Sequence, residues 1–269
     1  MLGSDLMVRM MPCHDVTGRD IDEIDISSEA SCRDVISQTR PDVVINAAAY
    51  TDVDRCETDR ERCFSVNAEG VKNIALACEG KGIKVVHFST DYVFDGRKGC
   101  PYTEDDSCDP LNIYGMSKRE GEKYLLGISS NSILVRSSWL YGKNGKNFVK
   151  TIMDKIKTVN CLEVVDDQIG SPTYTRDLAV AVELLIEGNH TGVFHVTNRG
   201  NCSWYEFALK ILAHTGRNDV QIKPIKSEAL ARPAARPPYS VLSCRKFIET
   251  TGKTMRYWQI ALDDFMGII

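Results

Sequence analysis

No stretch of this 269-residue chain approaches the roughly 18 apolar residues that a transmembrane helix needs, so no membrane span is expected. The start, Met1-Leu-Gly-Ser-Asp-Leu-Met7, has no basic segment leading into an apolar one, which argues against a secretory signal. Positive charge is not in excess either. The formal net charge is −4, whereas sequence-independent nucleic-acid binding needs a Lys/Arg surplus. Ten cysteines run from Cys13 to Cys244 without a C-x-x-C pair or a Cys/His cluster at ligand spacing. They read as reduced thiols and small core residues of a cytoplasmic protein, and no metal is expected. Internal repeats and low-complexity tracts are also missing. A composition 43% hydrophobic and 26% charged then leaves a soluble globular protein, long enough for one large domain or two lobes.

The apolar pattern alternates between short runs and helical stretches. Asp42–Asn46, Ile83–Phe88, Ser132–Val135, Cys161–Val165 and Gly192–Val196 read as strands, with His14–Gly18 as another short one. Ser27 or Ser28 caps a helix to about Thr39, and Thr58-Asp-Arg-Glu61 has the capping-box pattern for a helix to Cys78. Further helices are expected around Tyr114–Lys118, Asn147–Lys157 and Thr175–Glu187, and after Ser203-Trp-Tyr-Glu206. Arg232-Pro-Ala-Ala-Arg-Pro-Pro238 is a stiff, extended segment. Such alternation predicts an α/β fold with a doubly wound parallel sheet, followed by a smaller lobe from about Asn201.

The chemistry concentrates at Tyr114-Gly-Met-Ser-Lys118 and at Ser89-Thr90, which end an apolar strand. A four-residue helical step puts Tyr114 and Lys118 on one face. Open α/β sheets place their reacting groups at the carboxyl ends of strands. A hydroxyl, a phenol and an ammonium can therefore converge on one carbonyl oxygen. Free tyrosine titrates near 10, so the nearby lysine is expected to lower the phenol toward neutral pH.

Five ordered blocks carry a resemblance. They are Asn46-Ala-Ala-Ala-Tyr-Thr-Asp-Val-Asp54, Ser89-Thr-Asp-Tyr-Val-Phe-Asp-Gly96, Pro110-Leu-Asn-Ile-Tyr-Gly-Met-Ser-Lys118, Arg136-Ser-Ser-Trp-Leu-Tyr-Gly142 and Asp167-Gln-Ile-Gly-Ser-Pro-Thr173. Over nearly its whole length the chain resembles the dTDP-4-dehydrorhamnose reductases, within the extended short-chain dehydrogenases/reductases. The resemblance implies a Rossmann-like sheet and reduction of the C4 ketone of dTDP-4-dehydro-L-rhamnose. It implies Thr90, Tyr114 and Lys118 as the catalytic set, and NADPH or NADH held by Gly3, Asp25, Ile26, Asn46, Ala47, Ala48, Ala49, Asn67, Tyr114 and Lys118. Arg19 would suit a 2′-phosphate and Asp20 a ribose diol, so the two cofactors are not distinguished. Around the nucleotide sugar it implies Asp91, Tyr92, Trp139, Asn147, Phe148, Gln168 and Thr173, with Arg232 and Arg236 for the diphosphate. Residues 1–146, with about 174–200, would form the dinucleotide domain; 147–173 and 201–269 would form the substrate lobe. A homodimer is compatible with the family.

The family opens with a strand and a T-G-x-x-G-x-x-G turn whose backbone N–H groups meet the pyrophosphate. Leu2-Gly3-Ser4-Asp5-Leu6 resembles the last glycine of that turn and the first helical residues. On this resemblance the first strand and two glycines are absent, roughly a dozen residues. A start codon assigned too far downstream is the preferred reading; a truncated, cofactor-impaired reductase and a gap filled by another segment or subunit are the others. The truncated front also keeps a second class of function open, a noncatalytic regulatory subunit resembling the β-subunit of methionine adenosyltransferase.

Overall fold

The computed structural model describes residues 1–269. Its main sheet has four parallel strands in spatial order Val43–Asn46, Lys84–Thr90, Ser132–Ser137 and Gly192–His195. The two middle strands are buried along their whole length, as near-continuous apolar runs in a covered parallel sheet should be. Val43–Asn46 lies at one edge, and three of its four residues are only half-buried.

Helices cover both faces. On one, Leu2–Met10, Thr175–Glu187 and Arg245–Thr251 share a core with Val86, Phe88, Ile133, Val135 and Phe194. On the other, Glu29–Thr39, Gly70–Cys78 and Ile113–Ile128 pack Ile36, Ile74 and Leu125 on Val85 and Leu134. Such a three-layer arrangement makes both faces of the sheet dry and leaves the strand ends as the place for a site. A second core gathers Tyr141, Val149, Tyr174, Phe207, Trp258 and Phe265. It sits with a small parallel pair, Cys161–Val165 and Gln221–Ile225. The residues of this second core come from 141–174 and 202–265, whereas helix Arg245–Thr251 packs Phe247 under the main sheet and Leu242 joins Val93, Phe94 and Tyr102.

Two expected local features differ. His14–Gly18 is irregular, because none of its backbone groups pairs with a neighbouring strand. The capping box at Thr58 does not form: its hydroxyl donates to the Arg55 carbonyl at the end of the short helix Val53–Cys56. The next helix starts at Arg60 after Asp59, and passes through a π-helical turn at Ser65–Glu69 before Gly70. Elsewhere the caps match. Ser28 accepts from the Ser31 N–H, and Ser203 and Glu206 form a reciprocal capping box.

Helix Ile113–Ile128 comes close to its neighbours through glycine. A Cβ on Gly121 would lie 2.3 Å from the Asn67 carbonyl oxygen. Because that obstacle is backbone, Gly121→Ala is expected to destabilise the protein by about 1–3 kcal/mol. A denaturation midpoint equal to that of the unmodified chain would show that the helix can move aside.

Candidate active site

Thr90 is the last residue of its strand, and Tyr114 and Lys118 lie on the first turns of helix Ile113–Ile128. The helix begins at Asn112, whose side chain accepts from the Gly115 N–H at 2.8 Å and donates to the Ala235 carbonyl at 2.7 Å. One residue thus caps the helix and ties it to the segment around Ala235. Gly115 is required here, since a Cβ would meet the Tyr92 carbonyl oxygen at 2.2 Å. Tyr92 in turn packs edge-on against Tyr114, with ring centroids 5.9 Å apart.

The Thr90 hydroxyl lies 3.0 Å from Asp91 Oδ1 and accepts the Tyr92 N–H at 3.1 Å. The other Asp91 oxygen accepts from Ser240 Oγ at 2.5 Å. Burial pushes the Asp91 carboxyl up to about 6, against the hydrogen bonds from Ser240 and Thr90 that favour its charge. Burial, and then the Asp91 charge, also push the Tyr114 phenol above its ordinary value, while a hydrogen bond from Thr90 pulls it down. Burial lowers Lys118 to about 8, opposed by Glu122 and Cys63. The expected lowering of the phenol by Lys118 is not found: burial and the Asp91 charge outweigh it. Lys118 Nζ rests 3.1 Å from His87 Nε2, and not on the phenol.

The expected cofactor residues fall into two groups. Gly3 and Ala47 meet, since a Cβ on Gly3 would stand 3.7 Å from the Ala47 Cβ; Ala47 and Ala48 are exposed and small, as an approaching dinucleotide needs. Asn46 is buried and accepts the Ala48 N–H at 3.1 Å, with Ala49 next along the loop. Asn67 holds Tyr50 through its N–H and carbonyl at 2.8 and 2.9 Å and reaches Ser117 Oγ at 3.0 Å. It therefore braces the strand-end loop against the catalytic helix. Asp25 is exposed, but Ile26 is core, and a Cβ on Gly70 would meet it at 2.8 Å. Ser137 Oγ, in register beside Thr90, is buried without a partner. An unsatisfied hydroxyl at a strand end fits a polar ligand.

The expected substrate residues are more dispersed. Trp139 stacks on Trp204 at 3.5 Å, with Phe148 tilted against Trp204 at 4.5 Å. Trp139 has φ +49, a left-handed conformation uncommon outside glycine and found where a fold holds strain. Asn147 caps its helix and donates to the Gly142 carbonyl. Gln168 donates to Ser227, and Thr173 is wholly buried. Arg236 holds Asp54 with two hydrogen bonds, at 2.6 and 2.9 Å, whereas Arg232 is exposed.

Sequence reasoning passed over His87, Asp54, Trp204 and Ser240 as site residues. His87 carried a signal, a polar residue within an apolar strand. Ser240 carried none, because its loop has no periodic pattern. Away from this site, ligand atoms of His14, Glu183 and Glu187 lie within 4.8 Å of one another, with Arg9 already on Glu183.

The sheet, the phenol–lysine helix and the small-residue cradle define a dinucleotide-dependent oxidoreductase of the short-chain type. The family model described as RmlD substrate binding domain matches residues 1–268. The chain is 43% identical to the spore coat polysaccharide biosynthesis protein SpsK of Bacillus subtilis (strain 168), over 90% of this chain and 85% of that protein. It is 34% identical to a dTDP-4-keto-6-deoxy-D-glucose reductase of Streptomyces niveus, over 97% and 92%. A crystal structure of dTDP-4-dehydrorhamnose reductase from Bacillus anthracis, in complex with NADP, superposes with a TM-score of 0.96 at 38% identity, covering 100% of this chain and 95% of that one. The chain belongs to the RmlD, or dTDP-4-dehydrorhamnose reductase, family of NAD(P)-dependent dTDP-sugar reductases. No helix is long and apolar enough to cross a membrane.

Beside the site, His195 lies 3.0 Å from the Tyr102 carbonyl through Nδ1 and 3.3 Å from Arg136 Nη1 through Nε2. A neutral ring fits both, donating from Nδ1 and accepting at Nε2. Burial and the Arg136 charge hold it down at about 3. Free histidine titrates near 6.5, so the unfolded chain binds more protons between about pH 3 and 6.5. This residue's contribution is therefore lost as pH falls through that window. His195→Gln is expected to weaken the acid dependence of the melting temperature from pH 6.5 down to 4. Parallel curves for the two proteins would refute it.

Proposed function

We propose that this chain reduces the C4 ketone of dTDP-4-dehydro-L-rhamnose to dTDP-L-rhamnose, with NADPH or NADH as the reductant. The observation that carries this reading is the Tyr114 phenol within hydrogen-bonding reach of Thr90 at a strand end, with Lys118 one turn further along the same helix. The bound cofactor supplies hydride to the carbonyl carbon. Tyr114 donates a proton to the carbonyl oxygen, Thr90 hydrogen-bonds the same oxygen, and Lys118 holds the nicotinamide ribose and stabilises the phenolate left behind. Gly3 and Ala47–Ala49 bring the backbone close to the dinucleotide, Asn67 fixes the loop between them and the catalytic helix, and Asp25 is the exposed contact for the adenine end.

Trp139 and Phe148, with the Gln168–Thr173 block, frame the sugar nucleotide, and Tyr92 closes the Tyr114 side. Arg232 meets the diphosphate first, since Arg236 must leave Asp54 to join it. A sugar-nucleotide 4,6-dehydratase needs Asp-Glu after the threonine, whereas this chain has Asp91-Tyr92, so no second carboxylate is present for elimination. Relatives named for a different dTDP-sugar, or for a spore coat polysaccharide, support a second reading in which the ketone belongs to another 6-deoxy sugar. The noncatalytic reading gains nothing from a site with this full set of reacting groups.

Purified protein should oxidise NADPH or NADH when given dTDP-4-dehydro-L-rhamnose. Tyr114→Phe should fold normally and lose about 10²–10⁴ in kcat, because only the transition-state proton donor is removed. Turnover by the variant at the normal rate would end the assignment of Tyr114. Turnover of dTDP-4-keto-6-deoxy-D-glucose alone would move the substrate to the second reading.

A further inference from the structure

Lys118 is wholly enclosed, and its polar partner in the chain is His87 at 3.1 Å. The ring of His87 is itself fully buried, in the middle of strand Lys84–Thr90. Its other nitrogen, Nδ1, stands 3.2 Å from Asn46 Nδ2, and Asn46 Oδ1 accepts the Ala48 N–H at 3.1 Å. A line of contacts thus runs from the catalytic helix, through the strand, to the small-residue loop. Only one residue in it, Lys118, belongs to the set of reacting groups.

The pairing is chemically selective. The Ala48 N–H fixes the Asn46 amide with its oxygen toward Ala48, leaving Nδ2 to face the imidazole. A neutral imidazole has one donor and one acceptor: with its proton on Nδ1, toward the Asn46 backbone carbonyl, Nε2 accepts from the Lys118 ammonium, and Asn46 Nδ2 beside Nδ1 is then a packing contact and not a hydrogen bond. An aliphatic side chain cannot accept, and a buried ammonium without an acceptor is costly. Burial, and then the charge of Lys118, hold the ring neutral, well below its ordinary value. The other titratable groups around the ammonium are Glu122 and Tyr114 on its own helix and Cys63 on helix Arg60–Phe64. Glu122 is already neutralised by Arg136 and Arg119, so the imidazole is the direct hydrogen-bonding partner.

We propose that His87 is a positioning residue for the reductase reaction, seating the Lys118 amine beside Tyr114 and linking it through Asn46 to the loop at residues 46–49. The proposal rests on the role given to Lys118 above. It assigns no proton transfer to the ring, which acts only by accepting a hydrogen bond from the Lys118 ammonium at Nε2.

Two variants separate this role from packing. His87→Gln keeps an amide that can accept or donate, while His87→Leu keeps bulk and removes both capacities. Activity needs charged Lys118, so kcat/KM for NADPH should fall as pH rises through the lysine's value near 8. In His87→Leu the cation loses its acceptor, and the falling limb should move acidward by about a unit, a loss of about fivefold at pH 8. In His87→Gln it should stay within about half a unit of the unmodified position. An unmoved limb in His87→Leu, or equal displacement in both variants, would overturn the proposal.

A second measurement needs neither cofactor nor substrate. A double-mutant cycle of His87→Leu with Lys118→Met, followed by urea denaturation, should show a coupling that differs between pH 7 and pH 9.5. Additive effects at both pH values would also overturn it. If the denaturation coupling is present but no dTDP-sugar is reduced, the pairing stands and the assigned activity fails.

Discussion

A single buried ion pair sets the geometry on which the site depends. Arg136, on the strand next to that of Thr90, binds Glu122 through Nε and Nη2, both at 2.8 Å, and neither side chain is more than 3% exposed. Glu122 lies one helical turn beyond Lys118, so the pair fixes the rotation of the helix about its axis. The strand register, Ser89 opposite Arg136 and Thr90 opposite Ser137, fixes its height along the sheet. Removing one partner would strand the other charge in the interior, at a cost of about 3–5 kcal/mol. Arg119 on the same carboxylate and His195 against the guanidinium satisfy the remaining polar atoms. Such a fully bonded cluster favours orientation over stability, since an apolar pair of equal volume would hold the helix but not its rotation.

The segment around residues 234–240 is bound to the same framework by polar contacts, with the Ala234 N–H also on Asp54. Arg236 grips Asp54, the Ala235 carbonyl takes the Asn112 amide, and Ser240 donates to Asp91. The third has a chemical consequence. When Asp91 is ionised, its oxygens draw the hydroxyl protons of both Ser240 and Thr90, so the position of the segment and the direction of the Thr90 O–H are coupled. A displacement of the loop would release one Asp91 oxygen and reorient the Thr90 hydroxyl. The segment at residues 234–240 is thus tied to Thr90 through Asp91 by hydrogen bonds.

What could be read from sequence follows the physics of each element. Strands at 84–90 and 132–137 were legible because both their faces are covered, which leaves continuous apolar runs. The Ser28 and Ser203 caps were legible because capping uses a short polar side chain at a fixed offset. The Thr58 box had the same offset and failed, because a preceding helical turn claimed its hydroxyl. The placement of Thr90, Tyr114 and Lys118 was legible as a strand-end hydroxyl plus a helical i, i+4 pair. Contacts that join residues far apart, such as Asp54 with Arg236 or Asp91 with Ser240, leave no period or local offset. They could be found only once the chain was folded.

The ionisation of the site then follows from burial and pairing together. Asp91 is raised to about 6 and Lys118 lowered to about 8, both chiefly by burial, which disfavours any charge irrespective of sign. Between those values the first is mostly a carboxylate and the second mostly an ammonium, while the phenol of Tyr114 is held protonated by its own burial. For the proposed reduction this leaves a proton on Tyr114, a charge on Lys118 and a carboxylate that orients Thr90. Below that interval, protonation of Asp91 frees the Thr90 hydroxyl from its anchor. Above it, Lys118 loses the charge that the departing proton leaves a need for. A site enclosed enough to exclude water narrows its own working range from both sides, and the burial that protects the reaction also sets the pH interval near neutrality in which the reacting groups hold the right charges.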